Sequence, residues 1–107
     1  MAAGAVAGLG AVALSAVAAH LHMEQAANLM LRDAVQMQGW HALALLIAGQ
    51  MRARLASLAF LVGMLGFCGP IYALVFFGVK ATFIAPYGGT ALMLGWALLT
   101  LAAFRRR

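Results

Sequence analysis

VQMQGWHALALL occupies residues 35–46. It opens like a polar helix and closes like an apolar one. Gln36, Gln38, Trp40 and His41 stand where a membrane span would carry apolar residues. Yet no charged residue lies between Ala34 and Met51, and the run from Ala42 to Ala48 is wholly apolar. Residues 34–51 are long enough to cross a bilayer, which takes about 17–25 mostly apolar residues. Three further stretches have the same character: residues 2–20, 55–79 and 84–104. The expected fold is all-α, an integral membrane four-helix transmembrane bundle formed as a single domain over residues 1–107.

The composition agrees. The 107 residues are 66% hydrophobic and 8% charged, whereas a soluble domain carries about a quarter charged residues. The formal net charge of +5 invites a nucleic-acid reading. The basic residues fall at the ends of apolar runs rather than along one face, so no nucleic-acid partner is expected. Cys68 is the sole cysteine and can form no intrachain disulfide. It is expected to be a small buried helix residue. The first apolar run ends in Ala-Val-Ala, like a leader's processing site. No Lys or Arg precedes the run, so it is expected to remain as a helix.

Four spans put both ends of the chain and the second loop on one side. That side holds Arg52, Arg54, Arg105, Arg106 and Arg107; the other holds Arg32 and Lys80. The bias places both termini in the cytoplasm of a cell with a bacterial inner membrane, or on the matrix side in a mitochondrion. The arginines are expected as interface anchors, as are Trp40 and Tyr87.

Glycines suggest how the helices meet. Gly4 and Gly8 form GxxxG, and Gly63, Gly66 and Gly69 recur every third residue. Lipid supplies no hydrophobic drive between helices, so small residues help by letting backbones approach. Pro70 removes one helical hydrogen bond from the third span and is expected to bend it. APYGGT, residues 85–90, reads as a turn into the fourth span, with Gly88 and Gly89 allowing tight packing.

Residues 21–37 contain no Gly or Pro. At 3.6 residues per turn, Met23, Ala26, Ala27, Met30, Ala34 and Met37 share one face, with Glu24, Gln25, Asn28 and Arg32 opposite. The expectation is a short amphipathic helix on the outer surface, between the first and second spans. It could also run into the second span as one long helix. A methionine stripe at this spacing reads as adaptable packing surface rather than a copper site.

Topology gathers His20, His22, Gln36, Gln38 and His41 at the outer leaflet, with Glu24 and Asp33. His20 and His22 lack the usual helical ligand spacing, and no HExxH is present, so no metal site is assigned. An imidazole in lipid needs partners. Two readings of His41 stand: it ties helices through Gln36 or Gln38, or it meets a quinone, haem edge or proton path. Ser15 and Ser57 have no acid–base partner nearby in sequence. There is no P-loop or dinucleotide fingerprint. No catalytic residue is assigned, and no self-contained enzyme is expected.

Four quoted stretches resemble a known family. GLGAVALSAVAAHL, AVQMQGWHALALL, LVGMLGFCGPIYAL and IAPYGGTALMLGWALL are similar, in order, to segments of the YgdD-like small inner-membrane proteins. That family has no established function and includes a mitochondrial relative in animals. The resemblance implies a four-helix membrane fold. It implies that His20, Gln36, His41, Gly69, Tyr72, Pro86, Gly88, Gly89, Gly95 and Trp96 hold the family's characteristic positions, so Gly95 joins the helix-packing glycines. It implies no reaction. The first functional expectation is therefore an accessory or assembly subunit of a larger, respiratory-type membrane complex, in contact with lipid and other subunits. The second is a quinone-, haem- or metal-binding protein using His41, Gln36, Gln38 and His20. The third is a homo-oligomeric channel or transporter. No resident cofactor is expected; lipid or quinone stays open as a ligand.

Overall fold

The computed structural model describes residues 2–105. Four α-helices follow one another: α1 Ala2–His20, α2 Gln25–Gln50, α3 Arg54–Phe77 and α4 Ala85–Arg105. A single 3-10 turn, Thr82–Ile84, precedes α4. Three segments are long and apolar enough to cross a membrane: Ala2–His20, Arg54–Phe77 and Thr82–Arg105. The fold is thus all-helical and of membrane type. Successive helices pack against each other, α1 on α2, α2 on α3 and α3 on α4. The molecule measures 49 × 26 × 17 Å, so its long axis exceeds the ~30 Å hydrocarbon core of a bilayer.

Of the two expectations for the polar segment, the structure shows the continuous helix and not the separate one. No separate surface helix lies between α1 and α2. Residues 21–24 form a short link, and α2 then runs without a break from Gln25 to Gln50. The physical reason is local: nothing from Gln25 onward breaks a helix, and Asn28 N–H already donates to Glu24 C=O at 2.9 Å. At 1.5 Å per residue, its 26 residues extend about 39 Å. Its inner face also differs from the methionine stripe. Leu31, which the helical pattern leaves between faces, is completely buried, as are Ala34 and Ala44.

The two turns around α3 follow backbone rules. Arg52 has φ 56°, the left-handed position that usually ends a helix with Gly. Ala53 N–H reaches back to Ala48 C=O at 2.9 Å, which closes α2. At the far end Gly78 has φ 70°, with Gly78 N–H on Leu74 C=O and Val79 N–H on Ala73 C=O. This left-handed glycine cap stops α3 at Phe77, two residues short of the apolar run. Residues 85–90 are not a turn. They are the first turns of α4, with Pro86 where its missing N–H costs nothing.

A seam of small residues joins α3 to α4. A Cβ on Gly63 would lie 2.6 Å from Leu92 Cδ2 and 2.8 Å from Leu92 N, and one on Gly95 would lie 2.6 Å from Phe60 Cδ1. A Cβ on Gly88 would overlap the backbone of Gly66 and Phe67. Contacts 88 to 66, 92 to 63 and 95 to 60 run in opposite directions, as antiparallel helices require. α3 continues through Pro70. Pro70 has no N–H for the Gly66 carbonyl four residues back, and α4 crosses at that carbonyl through Gly88. On the other side of the bundle, Gly4 faces Leu46 and the Ala42 carbonyl of α2, and Gly8 faces Ala42 Cβ. Gly89 makes only ordinary contact with Phe67, and Gly69 faces nothing within 4 Å. Gly69 therefore differs from the other two glycines of its series: it borders a groove rather than a helix.

Candidate functional site

α2 carries Gln38 and His41 three residues apart, near the middle of the bundle. Their side chains go different ways. Gln38 Nε2 donates to Ala7 C=O of α1 at 2.7 Å. Its Oε1 accepts from Tyr72 Oη of α3 at 2.6 Å. One amide thus ties three helices, using its donor end on one side and its acceptor end on the other.

His41 faces α4 and is 4% exposed. Its Nδ1 lies 2.7 Å from Met37 C=O, one turn earlier in α2. Its Nε2 lies 3.0 Å from Trp96 Nε1 of α4. Indole N–H can only donate and a carbonyl can only accept. Nε2 must therefore be the bare nitrogen and Nδ1 must carry the proton. This is the neutral Nδ1–H tautomer, with both ring nitrogens engaged. Phe60, wholly buried in α3, completes a three-ring cluster. Ring centroids lie 5.8 Å (His41–Phe60), 5.9 Å (His41–Trp96) and 5.2 Å (Phe60–Trp96) apart, with interplanar angles of 59–72°. These are tilted and edge-on arrangements of the kind aromatic pairs prefer. Gly95 makes room for Phe60, so the ring cluster and the glycine seam depend on each other.

Two further ties complete the set. Cys68 Sγ of α3 donates to Ala34 C=O of α2 at 3.3 Å, and Asn28 of α2 reaches Ala18 C=O of α1 at 2.9 Å. Among the described residues no buried side-chain nitrogen or oxygen lacks a hydrogen-bond partner. In lipid an unsatisfied polar group costs several kcal/mol, so this pairing is what allows polar side chains in such helices.

The expected outer-leaflet cluster is not one site. His20 and His22 are exposed, as is Gln36, which borders a groove between α1 and α2 with Ser15 and Arg32. Gln38 turns to α1 and α3, and His41 turns to α4. Helix geometry explains part of the split: Gln36 lies nearly opposite Gln38 and His41, which sit one turn apart on the same side of α2 and diverge to different neighbours. Among the described residues no group of three or more His, Cys, Asp and Glu is placed to hold a metal ion. A metal or haem iron on His41 Nε2 would need the lone pair that Trp96 occupies. Trp40, Tyr87, Arg52, Arg54 and Arg105 are exposed, while Arg106 and Arg107 lie outside the described residues. Reasoning from residues alone missed Phe60 and the partner roles of Tyr72 and Trp96. A Tyr and a Trp at mid-helix, each needing one acceptor, were the available signal.

Tyr72→Phe isolates one tie, since it removes only the hydroxyl. We expect a loss of about 0.6–1.7 kcal/mol, the range of hydrogen bonds between membrane helices, read from reversible unfolding in mixed micelles. No loss would mean that the Gln38–Tyr72 bond contributes nothing to helix association.

Comparison with known proteins places the chain. Residues 14–89 match the family model described as a protein of unknown function, DUF423. A UPF0382 membrane protein of Haemophilus influenzae is 34% identical over 113 residues, covering 96% of this chain and 91% of the relative. No solved structure matches. The matched region holds Gln38, His41, Phe60, Tyr72 and the Gly66–Gly88 crossing, while Trp96 lies beyond it. The chain belongs to this DUF423 family of membrane proteins of unknown function.

Proposed function

We propose that the chain is a non-catalytic four-span protein of the inner membrane, related to the YgdD-like group, which acts as an accessory or assembly subunit of a larger, respiratory-type membrane complex. One observation carries this reading: the polar side chains inside the bundle are spent on the chain's own helices. Gln38, His41, Tyr72 and Trp96 bond to one another or to neighbouring backbone. A protein built this way offers rigid helix faces rather than intramembrane chemistry.

The four-span arrangement draws support from α2. Its charged residues, Arg32 and Asp33, lie in its first third. The rest, residues 34–50, is about 26 Å long at 1.5 Å per residue, near the lower limit for a span. Both termini then lie on the arginine-rich side, in the cytoplasm.

The test is copurification from native membranes in mild detergent, with crosslinking before solubilisation. We expect the chain to migrate with larger membrane proteins and to crosslink to them. A chain that always runs alone, without crosslinked partners, contradicts the proposal.

A further inference from the structure

α1 and α3 both pack on α2, and a groove lies between them. Its walls are small or apolar: Val6 and Gly10 on α1, Leu65 and Gly69 on α3, with Gln38 and Tyr72 at its floor. The cavity measures about 490 Å³. Ala3 and Leu61 also line a second cavity, of about 510 Å³, toward the arginine-bearing end. Arg52, Arg54 and Ser57 line that second cavity. Each volume falls in the ~300–1,000 Å³ range of small-molecule sites. The two share a wall at Ala3 and Leu61, and read together they make a passage that is basic at its mouth and apolar along its length.

The charge at the mouth has one sign. Neither cavity is lined by an acidic residue; Glu24 and Asp33, the chain's two carboxylates, lie toward the opposite end of α2. Among the described residues, neither Arg52 nor Arg54 has a carboxylate partner. Arg52 is held there in a left-handed conformation, a costly place for a side chain that glycine would occupy freely. A ligand that suits both parts needs an anionic head joined to a long apolar tail. A purely apolar partner helix, about 10 Å across, would cover the groove but leave the two arginines without an anion.

We propose that this passage binds one anionic phospholipid. Its phosphate sits at Arg52 and Arg54, within reach of the Ser57 hydroxyl, and one acyl chain lies between α1 and α3 toward Gln38 and Tyr72. Arginine suits the head because its planar fork matches phosphate oxygens. Gly69 suits the tail because it leaves the wall open.

The test uses the full-length chain, delipidated in a neutral detergent, and native mass spectrometry. The probes are phosphatidylglycerol and phosphatidylcholine with identical acyl chains, and inorganic phosphate as competitor. We expect one phosphatidylglycerol to be retained at least about tenfold more tightly than phosphatidylcholine, a preference that a pair of basic residues can supply. Arg52→Gln with Arg54→Gln removes that preference. Gly69→Phe fills the tail groove and weakens phosphatidylglycerol binding about tenfold with the arginines intact. Its unfolding midpoint, measured in the same detergent, shows that the bundle persists. Equal binding of the two lipids overturns the proposal. So does undiminished binding in a folded Gly69→Phe, which would reduce the site to a headgroup contact. Displacement of the lipid by millimolar phosphate would do the same.

Discussion

Gly88→Val is expected to disrupt the α3–α4 pair more than any other single change considered. The Cβ of even an alanine at this position would overlap the backbone of Gly66 and Phe67. A clash with a side chain can be relieved by a rotamer change, but a clash with backbone requires the helices to part. Parting them here undoes the neighbouring contacts of Gly63 with Leu92 and Gly95 with Phe60. Overpacking costs about 1–3 kcal/mol and occasionally more, and a backbone obstacle places Gly88→Val at or above the upper end. Gly69→Ala is the matched control. Its added methyl meets nothing within 4 Å, and Ala exceeds Gly in helix propensity by about 0.8–1.0 kcal/mol. We expect Gly69→Ala to be neutral or stabilising and Gly88→Val to lose the monodisperse folded peak, as measured by thermal unfolding in detergent followed by size exclusion. Equal midpoints for the two variants would contradict the seam.

His41→Phe is the second large effect. Phenylalanine keeps a ring against Phe60 and Trp96 but leaves Trp96 Nε1–H without its partner, while Met37 C=O keeps its helical bond from the backbone N–H of residue 41. Stranding a buried donor costs about 1–3 kcal/mol; Trp96 is 44% exposed, which places the expected loss toward the lower half. Trp96→Phe removes the donor and leaves Nε2 bare. The double variant removes both partners, so the two losses should not add. A coupling of about 0.6–1.7 kcal/mol in the double-mutant cycle is expected. Full additivity would mean that the His41–Trp96 bond is not a working tie between α2 and α4.

The helical, membrane-type character was legible because it depends on long apolar runs, which composition shows directly. The glycine-permitted approaches of α1 to α2 and α3 to α4 were half legible. GxxxG and the repeat at 63, 66 and 69 announce small-residue faces, but sequence does not say which face meets a helix. Gly66 meets Gly88, whereas Gly69 meets no neighbouring atom within 4 Å, one turn further on the same helix. The separation of a surface helix from α2 was misread, because a change of polarity does not end a helix. No Gly or Pro interrupts residues 25–37, and the helix continues through them. The polar cluster was misread for a related reason. Gln36, Gln38 and His41 are close along α2, but Gln36 is exposed on the far side, and Gln38 and His41, one turn apart on the same side, diverge to different helices. Their partners, Ala7, Tyr72 and Trp96, lie 31, 34 and 55 residues away from Gln38 and His41, and no local pattern encodes such pairings.

The central claim is that His41 fastens α2 to α4 as a neutral ring with its proton on Nδ1. Nitrogen-15 NMR of the histidine-labelled chain in lipid bilayers tests it most directly. The prediction is one protonated Nδ1 and one bare, hydrogen-bonded Nε2 for His41, with the Nε2 signal shifting when Trp96 is replaced by Phe. A proton on Nε2, or an Nε2 signal that ignores Trp96→Phe, would contradict the account.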